Sequence, residues 1–378
     1  MDYLSGNEFT LKQTLFALCL FAITPSILLA QCNGFQELCG LKYDQVSYLT
    51  THNAFNAGDD GFSLPNQNQG LIGQLNGGVR GFMLDVYDEG GVPTVYHGFA
   101  FLGTAPLTSN LTEIKTFLDA NPNEVVTIIF ESYVDANMME SAFVQVGLLP
   151  YMHEQVLGSP WPTLQQMIDA GTQLVVLTDS DDASPTQGWY HYVWEFAVET
   201  GFSNNAPSDF SCDFNRGDSI NDLFILNHFV TDATVGIGIA AQSEIVNAFD
   251  YFYPRAVSCW NEKQKFPNFP TVDFYELGET KRVVDSLNLN PIHLDIESVD
   301  SPPFTIETKG NGVYKILFDA PNSIAQIEVY SAIGRLVDYF SAERTNAFTV
   351  DLGSEPKGLY MVKVSADKGR DKSIKLLR

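Results

Sequence analysis

One apolar run indicates the class of fold: Val125-Val126-Thr127-Ile128-Ile129-Phe130, which is followed directly by Glu131. Its apolar residues are nearly continuous instead of alternating, which is typical of a strand buried on both faces of a parallel sheet. Comparable short runs recur along the first three quarters of the chain, at residues 46–50, 79–86, 174–178, 223–227 and 271–274. The sequence therefore predicts a parallel sheet of several short strands.

Segments with a helical spacing of apolar residues lie between these runs, at residues 111–120, 138–146, 163–170, 244–251 and 279–287. Repeated strand–helix order favours an α/β fold around a parallel sheet. A closed or distorted barrel is the most economical arrangement of such units. Its active residues are then expected at the C-terminal ends of the strands.

The composition is that of a folded protein with an uneven charge. Of the 378 residues, 45% are hydrophobic and 18% are charged, so a large core is available. The net charge of −25 argues against binding along nucleic-acid backbones and predicts long-range repulsion from anionic lipid surfaces. From Glu307 onward the chain holds 11 Lys and Arg and 9 Asp and Glu, whereas the residues before it hold 10 and 37 of the totals of 21 and 46. This shift predicts a domain boundary near residue 302.

After Ser301-Pro302-Pro303 the pattern changes to short strand-like runs without helical signals. The runs lie at residues 313–318, 324–330, 335–340, 348–352, 359–364 and 372–377. Short strands separated by turns are typical of a small antiparallel β-sandwich. The predicted organisation is a barrel over residues 31–300 and a β-sandwich over residues 301–378.

The first 30 residues have the pattern of a secretory signal peptide. An apolar stretch at residues 14–23 follows Lys12, and cleavage is expected after Ala30. A membrane anchor is the alternative, against which Pro25 and the short apolar core count. The mature chain is therefore predicted to be secreted or displayed at the cell surface, with no transmembrane anchor.

Export changes how the cysteines are interpreted. Four remain after removal of the signal peptide, namely Cys32, Cys39, Cys212 and Cys259, and they allow three pairings in an oxidising compartment. We favour a local Cys32–Cys39 clip and a long-range Cys212–Cys259 staple. A metal site is the alternative, although neither a CxxC pair nor a histidine-rich spacing accompanies the four.

Polar residues with catalytic chemistry lie at the predicted C-terminal strand ends. They are His52, Asn53, Asp85, His97, Glu131 and Asp273. Two histidines on separate strand ends serve as a general base and a general acid around one substrate. A carboxylate between them holds a cation that neutralises a phosphate. The set predicts cleavage of a phosphodiester without a covalent enzyme intermediate.

Four ordered motifs resemble the phosphatidylinositol-specific phospholipase C X-domain superfamily, and most closely its secreted, plant-type phospholipase C-like phosphodiesterases. They are Leu49-Thr50-Thr51-His52-Asn53-Ala54-Phe55, Arg80-Gly81-Phe82-Met83-Leu84-Asp85-Val86-Tyr87-Asp88, Val125-Val126-Thr127-Ile128-Ile129-Phe130-Glu131-Ser132-Tyr133 and Phe266-Pro267-Asn268-Phe269. The resemblance covers roughly residues 32–290. It implies a distorted TIM barrel, in agreement with the strand–helix order.

The resemblance also implies roles for individual residues. His52 matches the general base, which acts on the alcohol beside the phosphate, and His97 matches the acid that protonates the leaving oxygen, with a cyclic phosphodiester as product. Asp273 resembles the acid that orients the base, with a surface carboxylate as the alternative. A hydrogen-bonded structural histidine is the alternative for His52 and His97. The remaining histidines match no motif and are predicted to be structural: His153, His191, His228 and His293.

A cation is implied at Asn53, Asp85 and Glu131, which match Ca²⁺-binding positions of metal-dependent family members. Metal-free bacterial members carry an Arg at the position of Asp85, so an acid there calls for a cation. Met83 stands where the metal-dependent enzymes have a Glu, which predicts weaker Ca²⁺ binding or the use of Mg²⁺ instead. The alternatives are a loop-capping Asp85 and an ion pair between Glu131 and Arg80. Arg80 is the candidate substrate-binding residue, as the remaining source of positive charge.

The tail resembles a type IX secretion C-terminal sorting domain. The motifs are Ala332-Ile333-Gly334-Arg335-Leu336-Val337, Lys357-Gly358-Leu359-Tyr360-Met361-Val362-Lys363-Val364 and Ser373-Ile374-Lys375-Leu376-Leu377-Arg378. The resemblance implies a bacterial export route with the type IX secretion machinery as partner. A carbohydrate- or protein-binding β-sandwich is the alternative.

The sequence thus predicts an exported phosphodiesterase of phospholipase C type. Its substrate is a phosphodiester beside a hydroxyl, with phosphatidylinositol or a glycosylphosphatidylinositol as first candidate. A glycerophosphodiester phosphodiesterase is the alternative enzyme, although the sequence lacks the His-Arg-Gly opening motif expected of one. A non-catalytic surface adhesin on the same barrel is the alternative of another class, and the two intact histidines count against it.

Overall fold

The structure, a computed structural model, describes residues 31–182, 187–232, 237–290, 304–310, 312–318, 324–331, 335–343, 347–366 and 372–378. The predicted signal peptide at residues 1–30 and the predicted domain boundary at residue 300 lie outside these ranges. His293 lies outside them as well.

Eleven strands within the described ranges form one sheet. They are β1 (Thr50–Thr51), β2 (Gly81–Asp88), β3 (Pro93–Val95), β4 (Ala105–Pro106), β5 (Val126–Ser132), β6 (Leu174–Thr178), β7 (Tyr190–Tyr192), β8 (Ala197–Thr200), β9 (Phe214–Arg216), β10 (Leu223–Asn227) and β11 (Phe269–Val272).

Helices follow or connect many of these strands. They are α1 (Leu71–Asn76), α2 (Leu107–Ala120), α3 (Ala136–Val146), α4 (Leu164–Ala170), α5 (Val193–Phe196), α6 (Ala240–Val246), α7 (Phe249–Lys263) and α8 (Thr280–Asn288). Short 3₁₀ turns lie at Gln36–Leu38, Tyr43–Gln45, Ala100–Leu102, Leu149–Tyr151 and Pro207–Asp209.

The sheet is a distorted TIM barrel, as predicted. Its strands lie in the order β7-β6-β5-β2-β1-β11-β10-β8-β9, and all neighbours from β7 to β8 run parallel. Three antiparallel pairings, β2–β3, β3–β4 and β8–β9, extend this row. In the described part of the chain no ladder joins β7 to β8, so the eight parallel strands leave the barrel open there.

The apolar runs are continuous because the strands are covered on both faces. Val126, Ile128 and Phe130 of β5 belong to the core cluster that includes α2 and α3, whereas Val125 and Ile129 belong to a second cluster with residues of β6 and β10. Successive side chains of a strand point to opposite faces, so each layer uses alternate residues. Full burial of one such side chain contributes roughly 1.5–3 kcal/mol.

The helix predicted at residues 244–251 is wrong, because the chain breaks there into α6 and α7. Asn247 separates the two helices, and its side-chain amide donates to the carbonyl oxygens of Asp273 at 2.9 Å and Phe274 at 3.2 Å. These tertiary contacts hold the connection between the two helices against the end of β11. No local pattern in the sequence indicates them, so the break could not be predicted.

Both predicted disulfides are present. Cys32–Cys39 closes a local loop at the start of the described chain, and Cys212–Cys259 joins the segment before β9 to α7. In each pair the Cα atoms lie 5.1 Å apart, within the range that a disulfide spans. The alternative of a cysteine metal site is therefore wrong.

The C-terminal segment forms two antiparallel sheets in its described ranges, which confirms the predicted β-sandwich. The strands are β12 (Phe304–Gly310), β13 (Val313–Phe318), β14 (Ile324–Ser331), β15 (Leu336–Glu343), β16 (Ala347–Asp351), β17 (Leu359–Ala366) and β18 (Lys372–Leu377). The sheet orders are β12-β13-β16 and β15-β14-β17-β18, and Ile316, Ile327 and Val362 lie in the shared core. The sequence prediction missed β12, because only two of its seven residues are large and apolar.

Candidate active site

His52 directly follows β1 and is fixed by tertiary contacts. Its backbone N–H donates to Val272 O at 3.0 Å, and its carbonyl oxygen accepts from Gln67 Nε2 at 2.9 Å. The imidazole ring lies flat on Phe229, with ring centroids 4.0 Å apart and planes 6° apart. Because β1 has only two residues, these contacts, and not the length of the strand, determine where the imidazole points.

Asp273 directly follows β11 and is fully buried beside His52. Its Oδ1 accepts from His52 Nδ1 at 3.0 Å and from Asn66 Nδ2 at 3.1 Å. Its Oδ2 is also buried, and no described residue donates a hydrogen bond to it. Where the carboxylate accepts this hydrogen bond, His52 carries its hydrogen on Nδ1 and keeps the lone pair on Nε2. That tautomer makes Nε2 the proton acceptor.

His97 lies two residues after β3, which pairs with β2 through Val86 and Val95. The next residue, Gly98, has a φ of +64°, so the chain turns sharply after the imidazole. Burial, and then the charge of His52, lower the pKa of His97, whereas the charges of Asp273 and Glu131 raise it. The influence of His52, Asp273 and Glu131 on His97 indicates that its imidazole lies at the same edge of the barrel as these site residues.

Asp85 and Glu131 are register partners on the parallel strands β2 and β5, so their side chains point to the same face. Asp85 is 7% exposed. Burial, followed by the charges of Glu131 and Asp179, raises the pKa of Asp85 well above its usual range. Two neighbouring carboxylates without a basic partner between them are a place where a cation lowers the free energy.

The pocket at this edge holds residues that the sequence analysis missed. Asp179 and Glu199 line it together with His52, Asp85 and Glu131, and Arg216 is a basic residue in its wall. Asp179 directly follows β6, so the strand-end rule was able to identify it. Arg216 lies on the antiparallel strand β9, for which the chain gave no signal.

Arg216 is bound within the wall of the pocket. Its Nε donates to Glu199 Oε1 at 2.5 Å, and its guanidinium lies 4.3 Å from the ring centroid of Trp194 and 4.7 Å from that of Phe202. Its charge is therefore largely balanced by Glu199. The pocket keeps an excess of negative charge.

The predicted cation ligands are not equivalent in the structure. Asn53 is buried with a positive φ of 46°, and its Nδ2 donates to Asn66 Oδ1 at 3.3 Å. Met83 lines the pocket where a further carboxylate was expected in a metal-dependent enzyme. Among the described residues no group of three or more His, Cys, Asp or Glu converges as a metal site. The repelling pair of Asp85 and Glu131 nevertheless fits a hard cation that keeps several water ligands.

The prediction that Arg80 binds substrate is wrong in this structure. Arg80 immediately precedes β2, on the N-terminal side of the strand, whereas Asp85 lies in its C-terminal half. Its Nε donates to Glu124 at 2.7 Å, and its Nη1 donates to the carbonyl oxygens of Leu75 and Val79. The alternative of an ion pair with Glu131 is wrong for the same reason, since the carboxylate partner is Glu124.

The other described histidines have structural partners. His153 bonds Gln155 Oε1 at 3.1 Å, and His191 bonds the carbonyl oxygen of His153 at 3.2 Å. The buried His228 bonds Val246 O at 2.9 Å and stacks on Phe252, with ring centroids 3.8 Å apart. These contacts agree with the structural role predicted for them.

Comparison with known proteins identifies the class of this barrel. The PI-PLC X family model matches residues 38–288, and the chain belongs to that family. A second model, a secretion system C-terminal sorting domain, matches residues 309–377. The chain therefore carries a tail that directs it to secretion or to the cell surface. Within the described ranges no helix is both long enough and apolar enough to cross a bilayer.

Two curated relatives and one solved structure illustrate the similarity. The chain is 31% identical over 215 residues to a PI-PLC X domain-containing protein of Arabidopsis thaliana. The alignment covers 51% of this chain and 50% of the relative, so the chain spans about half the length of that protein. PI-PLC X domain-containing protein 1 of Arthroderma benhamiae is 29% identical over 258 residues, covering 60% of this chain and 83% of its own. A phosphatidylinositol-specific phospholipase C of Staphylococcus aureus is 14% identical with a TM-score of 0.43, covering 65% and 94% of the two chains.

Proposed function

We propose that this protein is an exported phosphodiesterase of the phospholipase C type, which cleaves a phosphodiester beside a hydroxyl in a phosphatidylinositol-like lipid. One observation carries the proposal. A histidine oriented by a buried carboxylate, His52 on Asp273, opens onto a pocket that contains the carboxylate pair Asp85 and Glu131, with a second histidine at the same edge.

The first half of the reaction belongs to His52. With its hydrogen on Nδ1, the imidazole takes the proton of the substrate hydroxyl on Nε2, and the hydroxyl oxygen attacks phosphorus. Asp273 fixes this tautomer and stabilises the imidazolium that forms. The flat contact with Phe229 keeps the ring from turning away.

The second half belongs to His97. Protonated His97 donates its proton to the alcohol oxygen as the bond between that oxygen and phosphorus breaks. The products are a cyclic phosphodiester and a free alcohol, which is diacylglycerol for a lipid substrate. A water molecule then opens the cycle by the reverse proton transfers, with His97 as base and His52 as acid.

Asp85 and Glu131 are the residues that would hold a divalent cation, with Asn53 as the third predicted ligand. Ca²⁺, or less favourably Mg²⁺, supplies charge stabilisation for the phosphoryl oxygens when bound. Without this charge the two carboxylates repel the substrate phosphate.

The pocket wall favours a headgroup without additional phosphates. Beyond the carboxylate pair it holds Asp179 and Glu199, and Arg216 is the one Lys or Arg among the described residues that line it. Arg216 already pairs with Glu199. A second phosphate on the headgroup would face this negative charge. Phosphatidylinositol, with or without an attached glycan, is therefore the first candidate.

The experiment is hydrolysis of phosphatidylinositol vesicles by the exported protein, with release of cyclic inositol phosphate followed by ³¹P NMR. Phosphatidylinositol 4-phosphate and glycerophosphoinositol serve as comparison substrates, and His52→Ala serves as the inactive control. We expect a cyclic product from phosphatidylinositol and at least about tenfold less from the 4-phosphate. If the folded protein hydrolyses none of these diesters, the proposed activity is wrong and the alternative of a non-catalytic surface adhesin remains.

A further inference from the structure

Three tyrosines form a continuous stack beside the proposed site. Tyr96 lies on Tyr87, with ring centroids 4.1 Å apart and planes 14° apart, and Tyr87 lies on Tyr133 at 4.6 Å and 10°. Tyr133 Oη donates to Glu131 Oε1 at 2.6 Å. The stack therefore runs from the residue before His97 to a carboxylate of the predicted cation pair.

The backbone explains why the three rings meet at this edge. Tyr87 lies two residues after Asp85 on β2, so the two side chains point to the same side of the sheet. Tyr133 directly follows β5, and its hydrogen bond to Glu131 keeps its ring on that side as well. Burial, and then the charges of Asp85 and Glu131, raise the pKa of Tyr87 to about 12. The central ring is thus a neutral neighbour of both carboxylates.

The strand β3 is paired with β2 and β4 and is anchored by the buried Val95, but the chain from His97 onward leaves this strand. β3 has three residues, and Gly98 turns the chain directly after the imidazole. Beyond that turn, Phe99 is 59% exposed and Phe101 is 81% exposed, so neither anchors the loop in the core. Val95 anchors β3 in the core, and the contact between Tyr96 and Tyr87 is the side-chain link that joins the residue next to His97 to β2.

We propose that the tyrosine stack positions the two halves of the site, with Tyr96 and Tyr87 holding the backbone of His97 in place and the Tyr133 hydroxyl orienting Glu131. The inference rests on the proposed function. These tyrosines are positioning residues, and they act through His97 and Glu131. A stacked aromatic pair is favourable beyond its buried area, and a hydrogen bond to a ligating carboxylate tunes the affinity of a metal site.

The first test separates acid positioning from general damage by changing the leaving group. Phosphatidylinositol releases an alkanol, which needs a proton from His97, whereas a 4-nitrophenyl ester of inositol phosphate releases a phenolate, which does not. Tyr96→Leu is expected to lose about tenfold to a hundredfold in kcat on the lipid and less than about threefold on the nitrophenyl ester. Tyr96→Phe keeps the ring and is expected to retain wild-type activity on both esters.

The outcomes of this test are distinct. Equal losses of Tyr96→Leu on both esters, or no loss on either, overturn the inference while the proposed function stands. A loss in Tyr96→Phe as large as that in Tyr96→Leu also overturns it, because the stack is kept in the former. If Tyr96→Leu does not fold, Tyr96→Met also removes the ring that contacts Tyr87, leaves the contact between Tyr87 and Tyr133 in place, and is held to the same criterion.

The second test does not need turnover. Tyr133→Phe keeps the stack and removes the hydrogen bond to Glu131, so calorimetric titration with Ca²⁺ is expected to show about tenfold weaker binding than in the wild type, with the leaving-group ratio unchanged. Unchanged Ca²⁺ affinity in Tyr133→Phe overturns the assignment of its hydroxyl. A wild-type protein that cleaves neither ester defeats the proposed function, and this titration then decides the inference by itself.

Discussion

The two histidines of the site are supported in different ways. His52 is held by backbone bonds, by the fully buried Asp273 and by a ring stacked on it, whereas His97 follows a three-residue strand and precedes a glycine turn. One half of the site is therefore built into the parallel barrel. His97, the other half, lies on an antiparallel extension of the sheet, where a few side-chain contacts hold it in place. This difference teaches that the proposed base, His52, and the proposed acid, His97, should respond differently to the loss of a neighbouring side chain.

The largest expected effect tests this contrast directly. His52→Ala is expected to lose at least about 10²-fold in turnover on both an alkanol and a nitrophenyl leaving group, because the hydroxyl must be deprotonated in each case. His97→Ala is expected to lose at least about 10²-fold on the alkanol only. Steady-state kinetics with both esters measure this, and thermal unfolding serves as the control for folding. Equal behaviour of the two variants on the two esters would remove the division of roles.

The second prediction concerns the carboxylates that lie between the two histidines. Activity is expected to fall with a chelator and to return with Ca²⁺, and Asp85→Asn is expected to need about tenfold to a hundredfold more Ca²⁺ for half-activation. Asp44→Asn is the matched control, since that aspartate lies outside the pocket. Full activity after exhaustive chelation would contradict the cation site.

The third prediction concerns a substitution that affects only His52, the histidine supported by the parallel barrel. Asp273→Asn removes the charge that stabilises the His52 imidazolium and leaves an amide able to present a donor to Nδ1, so the tautomer is no longer fixed. We expect a loss of about tenfold or more in kcat on both leaving groups. Loss on the alkanol ester alone would place Asp273 with His97 instead.

The smallest effect is a displacement of the pH profile. Burial and the charge of His52 lower the pKa of His97 below its usual value of 6.5, so its acid form is lost as the pH rises through that lowered pKa. The alkaline limb of kcat/KM on the alkanol ester is therefore expected below pH 6.5 and absent on the nitrophenyl ester. An alkaline limb that is the same on both esters would assign it to another group.

Most of the barrel was accessible to sequence reasoning, because its strands are buried on both faces and show as apolar runs. The runs at residues 174–178 and 223–227 match β6 and β10 residue for residue. The end of each run marked where polar residues gather, and this placed Asp85 and Glu131 on one edge. Arg80 was proposed as a substrate-binding residue although it does not lie at the C-terminal end of its strand, and the structure places it before β2.

The failures share a physical cause, which is that the deciding contacts are distant in sequence. Arg216 reaches the pocket on an antiparallel strand, and its ion pair with Glu199 spans 17 residues. Asn247 interrupts a helical pattern to bond the end of β11. Neither has a local periodicity, and only the assembled barrel brings such groups to their partners.

The opening between β7 and β8 bears on how copies of the protein behave towards each other. An incomplete barrel presents two strand edges, and a long free edge recruits strands from other molecules. Here β7 is three residues long, and β9 covers β8 with an antiparallel strand that ends in the charged Arg216. The opening therefore offers little backbone for edge-to-edge association between copies of the protein.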